Sequence, residues 1–189
     1  MMPGKPIFVT SNEHKLREAE AILGVELDRA APNVPELQSL DFAKVASAKA
    51  RAARVALGDP NTLVIVDDSG LVVNAWNGFP GALTKWFLQS VGVSGLLKML
   101  SAFPNRSARS VCVVAVSASN GEIHLFRGEV EGEISNAPRG TAGFGYDPVF
   151  VPNGHRRTYS EMGGEKHENS HRNRAFNALG EWLTAERKG

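Results

Sequence analysis

Residues 63–70 read Leu63-Val64-Ile65-Val66-Asp67-Asp68-Ser69-Gly70, an apolar run followed directly by two adjacent carboxylates. A short β-branched run of this kind is typical of a buried strand. We therefore predict a strand over residues 63–66, with Asp67 and Asp68 at its carboxyl end on the rim of a sheet. Adjacent carboxylates repel each other unless a cation lies between them, and a hard cation such as Mg²⁺ is a common solution. The last four residues also favour turns, so a solvated turn is the alternative.

Strand and helix signals alternate along the rest of the chain and predict a mixed α/β fold. The predicted strands cover residues 7–9, 71–73, 110–118 and 122–134, with a hairpin at Ser119-Asn120-Gly121 and a bulge or bend near Gly128. The predicted helices cover residues 12–23, 41–57, 83–90, 96–100 and 170–186. Residues 138–169 are rich in glycine, proline and charge, which predicts a long functional loop region. We expect an elongated central sheet with helices on its faces, in one domain spanning residues 1–189.

Composition and charge argue against several classes of function. The hydrophobic fraction of 42% and the charged fraction of 22% are ordinary for a globular protein. The net charge of +1 provides no general field for binding nucleic acid or a membrane, so any basic site must be local. No apolar stretch approaches the ~20 residues that span a bilayer. The single cysteine, Cys112, lies in an apolar run, which indicates a core position and a reducing compartment such as the cytoplasm.

A candidate phosphate site lies where the first strand meets the first helix, at Thr10-Ser11-Asn12-Glu13-His14-Lys15. A helix N-terminus presents free N–H groups and the positive end of the helix dipole, which together favour phosphate. Asn12 and Lys15 are three residues apart and can share one side of the first turn, where the lysine adds a full charge. Helix capping with a surface lysine is the alternative. The chain contains no G-x-x-x-x-G-K-[ST] P-loop.

Lys49 interrupts the apolar stripe that we predict for the second helix, which reads Phe42, Val45, Lys49, Ala52 and Ala56. A lysine in such a stripe is costly unless its ammonium group reaches water or an acidic partner. Snorkelling to solvent is one interpretation. A phosphate or carboxylate partner at the edge of the helix is the other.

Two later segments carry groups that suit a planar ring. In Gly143-Phe144-Gly145-Tyr146-Asp147-Pro148 the glycines permit close approach, the aromatic rings can stack, and Asp147 can accept hydrogen bonds from ring nitrogens. A glycine-rich turn between strands is the alternative. Ser170-His171-Arg172 begins the last helix, and the arginine fork suits a carbonyl or phosphate acceptor. Lys166 lies in a charged run that by itself indicates a solvated surface. Together these groups predict one ligand, a nucleotide polyphosphate with a divalent metal.

The same segments, with Pro80-Gly81, occur in the order and at the approximate spacing found in the inosine triphosphate pyrophosphatase family, which the chain resembles over about residues 7–183. The resemblance implies hydrolysis of deaminated purine nucleoside triphosphates, such as those of inosine and xanthosine, to the monophosphate and pyrophosphate. It also implies dependence on Mg²⁺, a homodimer, and an α/β fold with a substrate cleft between two lobes.

The resemblance further implies a role for each matching residue. It assigns the metal to Glu36 and Asp68, and catalysis to Asp68 as ligand and base, with Asp67 and Lys15 beside it. It assigns substrate binding to a larger group: Thr10, Ser11, Asn12, Lys15, Lys49, Ser69, Lys85, Phe144, Gly145, Tyr146, Asp147, Lys166, His171 and Arg172. Within that group Phe144 is expected to stack on the base, and Asp147, Lys166, His171 and Arg172 to hold it.

The chain departs from the family pattern at two places. Ser11 stands where glycine is usual, which bears on how closely the backbone approaches phosphate. Lys44-Val45 stands where the bacterial branch has Glu-Asn, which moves the expected metal ligands to Glu36 and Asp68. Two alternative functions remain open. One is a phosphohydrolase that releases orthophosphate through an aspartyl-phosphate at Asp67 or Asp68, and the other is a nucleotide-binding sensor without turnover.

Overall fold

A seven-stranded mixed sheet forms the centre of the computed structural model, which describes residues 5–186. The strands are β1 (Ile7–Val9), β2 (Asp28–Ala30), β3 (Val64–Val73), β4 (Pro80–Gly81), β5 (Ser107–Ser117), β6 (Ile123–Ile134) and β7 (Phe150–Pro152). Their order in the sheet is β2-β1-β3-β5-β6-β7, and β4 pairs with β3. The helices are α1 (Glu13–Leu23), α2 (Phe42–Leu57), α3 (Thr84–Leu100), α4 (Tyr159–Met162) and α5 (His171–Glu186).

The helices form close to the positions that the sequence predicts. The side chain of Asn12 caps α1 by accepting backbone hydrogen bonds from His14 and Lys15, and the helix ends at Gly24 in the left-handed conformation. The two short helices predicted over residues 83–100 are both present within α3, because Gly92 breaks its helical geometry with φ 67° and ψ −178°. The predicted loop region also contains β7 and α4, which its glycines and prolines concealed.

The apolar stripe of α2 was predicted correctly only in its first half. The helix buries Phe42, Val45, Ala46, Ala50 and Ala53, whereas Ala56 is exposed. The spacing of the buried residues is closer to the helical repeat of 3.6 residues than the predicted spacing is. Lys49 lies at the border of this stripe, beside Ala50.

The positions of Asp67 and Asp68 in β3 differ from the prediction. It runs without interruption from Val64 to Val73, so that Asp67 and Asp68 lie in the middle of a strand and not at its carboxyl end. The reason is tertiary pairing: β5 pairs antiparallel with β3 from Val64 opposite Ser117 to Val73 opposite Ala108. This continuous ladder outweighs the local turn preference of the tetrapeptide.

The other edge of β3 contains a gap, and the gap is where the site forms. The strand β1 pairs with β3 only at Val64 and Ile65, and β4 pairs with it only at Leu71 and Val72. Residues 66–70 therefore lie between two short neighbours on that edge. The segments that leave these neighbours, Thr10–Asn12 after β1 and Ala82–Thr84 after β4, border the gap.

The β5–β6 hairpin forms as predicted. Of the two features predicted near Gly128, a bulge or a bend, the bulge is absent from the ladder. The register runs unbroken from Ser107 opposite Glu133 to Ser117 opposite Ile123. Gly128 serves a different purpose, since a Cβ atom there would clash with the carbonyl oxygen of His171 at the start of α5. The glycine thus permits close approach of α5 to the sheet.

Three apolar clusters divide the molecule into two lobes. Two of them cover opposite faces of the sheet at one end, one beneath α1 and α5 and the other beneath α2. The third joins α3, β7 and α4 at the other end, around Leu96, Leu100 and Phe150. The predicted α/β class with flanking helices is therefore confirmed. Among residues 5–186, no helix has the length and apolar character needed to cross a membrane.

Candidate active site

A cavity of about 570 Å³ lies at the gap beside β3. Its volume is in the range of small-molecule binding sites. It collects nearly every residue that the sequence predicts for the site: Thr10, Ser11, Asn12, Lys15, Glu36, Lys49, Asp68, Ser69, Lys85, Phe144, Gly145, Tyr146, Asp147, Lys166, His171 and Arg172. Asp67 is the predicted site residue that does not line it. The departure at Ser11 lies in the cavity, whereas Lys44 is exposed outside it.

Asp67 and Asp68 have opposite surroundings because consecutive residues of a strand point to opposite faces. The side of β3 that carries Asp67 faces α1 and α5, and the side that carries Asp68 faces α2. The two carboxylates therefore do not face each other across one cation, which corrects the expectation from the sequence. The charges of Lys15 and Lys49 act on both, but among the described residues it is Asp67 that forms ion pairs, with Lys15 and Arg172.

Asp67 is fully enclosed by cations. Its carboxylate lies 2.9 Å from the Nζ atom of Lys15 and 3.3 Å from the Nη2 atom of Arg172. Burial by itself would raise the pKa of Asp67, but the charges of Lys15 and Arg172 outweigh burial and hold the pKa below its ordinary value. Asp67 is therefore ionised at neutral pH and connects two cations that do line the cavity.

The pKa of Asp68, in contrast, is raised. Burial raises the pKa of Asp68 to about 7, and the negative charge of Asp67 adds to this effect. Its Oδ2 atom is buried and has no hydrogen-bond partner among the described residues. A buried carboxylate oxygen without a partner is uncommon in folded proteins. Asp68 thus offers the cavity a proton acceptor near neutral pH, or an oxygen ligand for a cation.

The carboxylate oxygens at this end of the cavity are suitable ligands for Mg²⁺. Glu36 also lines the cavity, and its charge contributes to the raised pKa of Asp68. Within residues 5–186 no group of three or more His, Cys, Asp or Glu side chains is placed to hold a metal. Mg²⁺ is often bound by only one or two carboxylates, because substrate phosphates and water supply its other ligands. Glu36 and Asp68 are therefore enough protein ligands for Mg²⁺ when a substrate is bound.

Lys49 points into the site and does not snorkel to bulk solvent. Its Nζ atom donates a hydrogen bond of 3.2 Å to the backbone carbonyl of Asp67, at the gap where β3 has no neighbouring strand. Burial and then the charge of Lys15 lower the pKa of Lys49 from its ordinary value. Two lysines and the first turn of α1 thus surround one end of the cavity, which makes that end suitable for phosphate.

The other end of the cavity is built around Phe144 and Asp147. The Oδ2 atom of Asp147 accepts hydrogen bonds from Lys166 Nζ (2.7 Å) and from the Phe144 backbone N–H (3.0 Å). A Cβ atom at Gly143 would collide with this carboxylate, so glycine is required there. Lys166 is buried, which corrects the interpretation of its charged run as a solvated surface. The ring of Phe144 lies under two cations, Lys166 and Arg172, at 5.3 and 5.8 Å from its centroid.

Tyr146, the second aromatic residue of this loop, is buried. Its hydroxyl lies 2.7 Å from Ser110 Oγ, 3.2 Å from the Gly70 carbonyl and 3.4 Å from His171 Nε2. Burial and then the charge of Arg172 lower the pKa of His171 well below its ordinary value, so its imidazole is neutral at pH 7. Tyr146 therefore fixes a neutral histidine at the cavity wall.

Glu18 is the important residue that the sequence analysis missed. It pairs with Arg172 Nη1 and lies 3.9 Å from Lys166 Nζ, so it neutralises two cations of the cavity wall. Arg172 is in turn held by Ser69 Oγ at 3.0 Å. The sequence spacing could have identified Glu18 as a site residue, because Glu18 follows Lys15 by three residues and so lies on the same side of α1. Nothing in the sequence showed that α5 would reach that side.

Comparison with known proteins places these features in a family. Residues 6–182 match the model of the Ham1 family. The chain is 41% identical over 182 residues to a dITP/XTP pyrophosphatase of Methanopyrus kandleri, covering 94% of this chain and 95% of that protein. It is 45% identical over 180 residues to an inosine triphosphate pyrophosphatase of Aspergillus fumigatus, covering 93% and 92%. The Ham1 protein of Staphylococcus aureus superposes with a TM-score of 0.83 at 33% identity, covering 96% of this chain and all of that one.

These matches confirm the resemblance found in the sequence. They extend over nearly the whole of both chains. We conclude that this chain belongs to the Ham1 family.

Proposed function

We propose that this protein hydrolyses non-standard purine nucleoside triphosphates, namely those of inosine, deoxyinosine and xanthosine, to the monophosphate and pyrophosphate. The names of the relatives support the substrate class. The single observation that carries the proposal is the division of one cavity into two ends, with lysines around Asp68 at one end and an aromatic ring beside buried polar groups at the other. A nucleotide has the same division into phosphates and base.

In this proposal the phosphate end holds the triphosphate and activates water. Lys15, Lys49 and the first turn of α1 bind phosphate oxygens and stabilise the charge that develops on them. Asp68 accepts a proton from the water that attacks the α-phosphorus, a role that suits a carboxyl whose pKa is raised to about 7. The bond from the α-phosphorus to the bridging oxygen breaks, and pyrophosphate leaves. Asp67 does not touch the substrate here but positions Lys15 and Arg172.

Glu36 and Asp68 are the residues that would hold Mg²⁺. When bound, the ion would neutralise charge on the phosphate oxygens and so favour departure of pyrophosphate. The support from this chain is the partnerless Oδ2 atom of Asp68 and the second carboxylate beside it.

The base end is proposed to select purines with a 6-oxo group. Arg172 and Lys166 can only donate hydrogen bonds, so they suit the 6-oxo acceptor of hypoxanthine and xanthine. Adenine presents an amino donor there, which cannot accept a hydrogen bond from either cation. Such a mismatch can reject a competitor by roughly 10⁴-fold. Guanine also has a 6-oxo group, so its rejection requires recognition of the 2-amino group.

Three further features are proposed, of which the homodimer rests on the family resemblance. We propose that the chain acts as one domain over residues 1–189, because the cavity takes side chains from both α1 and α5. We propose a homodimer that binds neither nucleic acid nor membranes. We propose a location in the cytoplasm, where nucleotide pools are maintained and where a free cysteine such as Cys112 stays reduced.

The test offers the triphosphates of inosine, deoxyinosine, xanthosine, guanosine and adenosine with Mg²⁺ and identifies the phosphate product. We expect pyrophosphate, with kcat/KM for inosine triphosphate roughly 10⁴-fold above that for adenosine triphosphate. Release of orthophosphate would point instead to an aspartyl-phosphate enzyme. Unchanged substrate after long incubation would point to a sensor, and equal turnover of adenosine triphosphate would refute the proposed selectivity.

A further inference from the structure

We propose that His14 is a positioning residue for the base end of the cavity, because it packs against Phe144 and holds that ring in place. The inference rests on the proposed function and deepens it. The two rings are stacked, with centroids 6.0 Å apart and 28° between their planes. Aromatic pairs at such separations attract each other beyond simple burial. Phe144 lines the cavity, whereas His14 is exposed and does not. His14 therefore acts on the cavity through Phe144.

Phe144 needs such support because its backbone is permissive. It lies between Gly143 (φ 79°) and Gly145 (φ 64°), and glycine at positive φ leaves a segment with many accessible conformations. The hydrogen bond from the Phe144 N–H to Asp147 holds its backbone, and the ring itself contacts the cations Lys166 and Arg172 as well as His14. Among the described residues, His14 is the aromatic side chain that stacks on this ring.

The position of His14 also connects the two ends of the cavity. It belongs to the first turn of α1, and its backbone N–H donates a hydrogen bond of 2.9 Å to the Oδ1 atom of Asn12. The same turn carries Lys15 at the phosphate end. A contact from this turn to Phe144 therefore fixes the base platform relative to the phosphate-binding groups. A nucleotide must meet both at once, so the spacing affects affinity more than the chemical step.

The test compares His14→Ala, His14→Phe and Arg17→Ala in steady-state hydrolysis of inosine triphosphate. Arg17 is an exposed residue of the same helix outside the cavity lining and serves as the matched control. We expect His14→Ala to raise KM about two- to tenfold, with kcat changed less than twofold. His14→Phe should restore KM because it restores the stack, and Arg17→Ala should change neither constant. The thermal midpoint of His14→Ala should fall by no more than about 2–4 °C, so that the change in KM is not caused by unfolding.

A double-mutant cycle separates action through Phe144 from direct contact with substrate. In a Phe144→Ala background, His14→Ala should add less than a twofold further change in KM, since the ring that it supports is gone. An undiminished effect in that background would overturn the inference. So would a KM unchanged by His14→Ala in the wild-type background.

A measurement without substrate keeps this inference distinct from the proposed function. The ring-proton signals of His14, assigned by their loss in His14→Ala, should shift in NMR spectra on Phe144→Ala. Absence of that shift would overturn the stack even in an active enzyme. If the stack is seen but wild-type protein neither binds nor hydrolyses inosine triphosphate, the proposed function fails, and the role of His14 in substrate binding fails with it.

Discussion

At the scale of single residues, Asp67 and Asp68 show how one peptide step changes the chemistry of a side chain. Their positions on opposite faces of β3 give one a low pKa among cations and the other a pKa of about 7 beside the cavity. The first is suited to permanent ionisation and the second to proton exchange. In the proposed mechanism Asp67 therefore positions the neighbouring cations, and Asp68 accepts the proton.

Asp68→Asn should abolish most of the turnover. Asparagine has nearly the same shape but cannot accept the proton, and loss of a general base costs roughly 10²–10⁴-fold. The measurement is kcat for inosine triphosphate at saturating Mg²⁺, with the circular dichroism spectrum as a check on folding. Asp28→Asn, at an exposed surface ion pair, is the control and should retain full activity. Near-normal turnover of Asp68→Asn would remove Asp68 from its proposed role.

The same two aspartates should affect stability with opposite signs. The folded pKa of Asp67 lies below its unfolded value of about 4, so its ionisation stabilises the fold above pH ~4 and this contribution is lost as pH falls. The folded pKa of Asp68, about 7, lies above its unfolded value. Its ionisation therefore costs stability above pH ~7, and the cost disappears as pH falls towards ~4.

We accordingly expect Asp67→Asn to destabilise the protein at pH 8 by about 3 kcal/mol, because the buried Arg172 and the partly buried Lys15 lose a charged partner that they share. Asp68→Asn should stabilise it at pH 8 by at most roughly 4 kcal/mol, falling to less than half of that gain at pH 5. Urea unfolding with a chelator present measures both. A gain for Asp68→Asn that does not change with pH would contradict the assigned ionisation.

At the scale of elements, the close approach of α5 to β6 places Arg172 and His171 at the site. Contact between these two elements passes over Gly128, where no side chain separates the strand from the helix backbone. The sheet thus determines the position of two residues at the base end. The sequence marked Gly128 as unusual but suggested a bulge, because a strand glycine has several structural uses that a single sequence does not distinguish.

Gly128→Ala should lower stability and activity together. The new methyl group meets the backbone of α5, which cannot move aside as a flexible side chain would, and overpacking of this kind costs about 1–3 kcal/mol. Displacement of α5 should also raise KM for inosine triphosphate. Thermal denaturation and steady-state kinetics measure the two effects. Gly164→Ala, at a glycine with open space around it, should show neither.

At the scale of the whole molecule, the cavity joins both lobes and should couple ligand binding to global stability. A ligand that binds only the folded state stabilises it by about 2.7 kcal/mol at 100 times its Kd. Inosine monophosphate with pyrophosphate and Mg²⁺ should therefore raise the thermal midpoint. The part of the rise that depends on Mg²⁺ should be lost in Asp68→Asn, whereas Asp28→Asn should retain it. A rise independent of Mg²⁺ in the wild type would contradict metal binding at Asp68.

Much of this architecture could be predicted from the sequence, and the failures have physical causes. The positions of α1, α2 and α5 could be predicted from apolar periodicity and capping residues, because these signals lie within each helix or at its ends. The position of Asp67 and Asp68 within β3 was missed, because a ladder to β5 more than 40 residues away overrides a local turn preference. Glu18 was missed for the same reason, since its partners Lys166 and Arg172 lie about 150 residues further along the chain. Residues of the cavity were found mainly through the family resemblance.

The bond between Glu18 and Arg172 joins residues 154 positions apart in the chain. Contacts between distant positions form slowly, since the intervening chain must first lose its freedom, whereas the β5–β6 hairpin closes over only a few residues. A ribosome-bound chain that has not yet released α5 lacks Arg172 and His171. The proposed base end of the cavity therefore cannot form until α5 has left the ribosome.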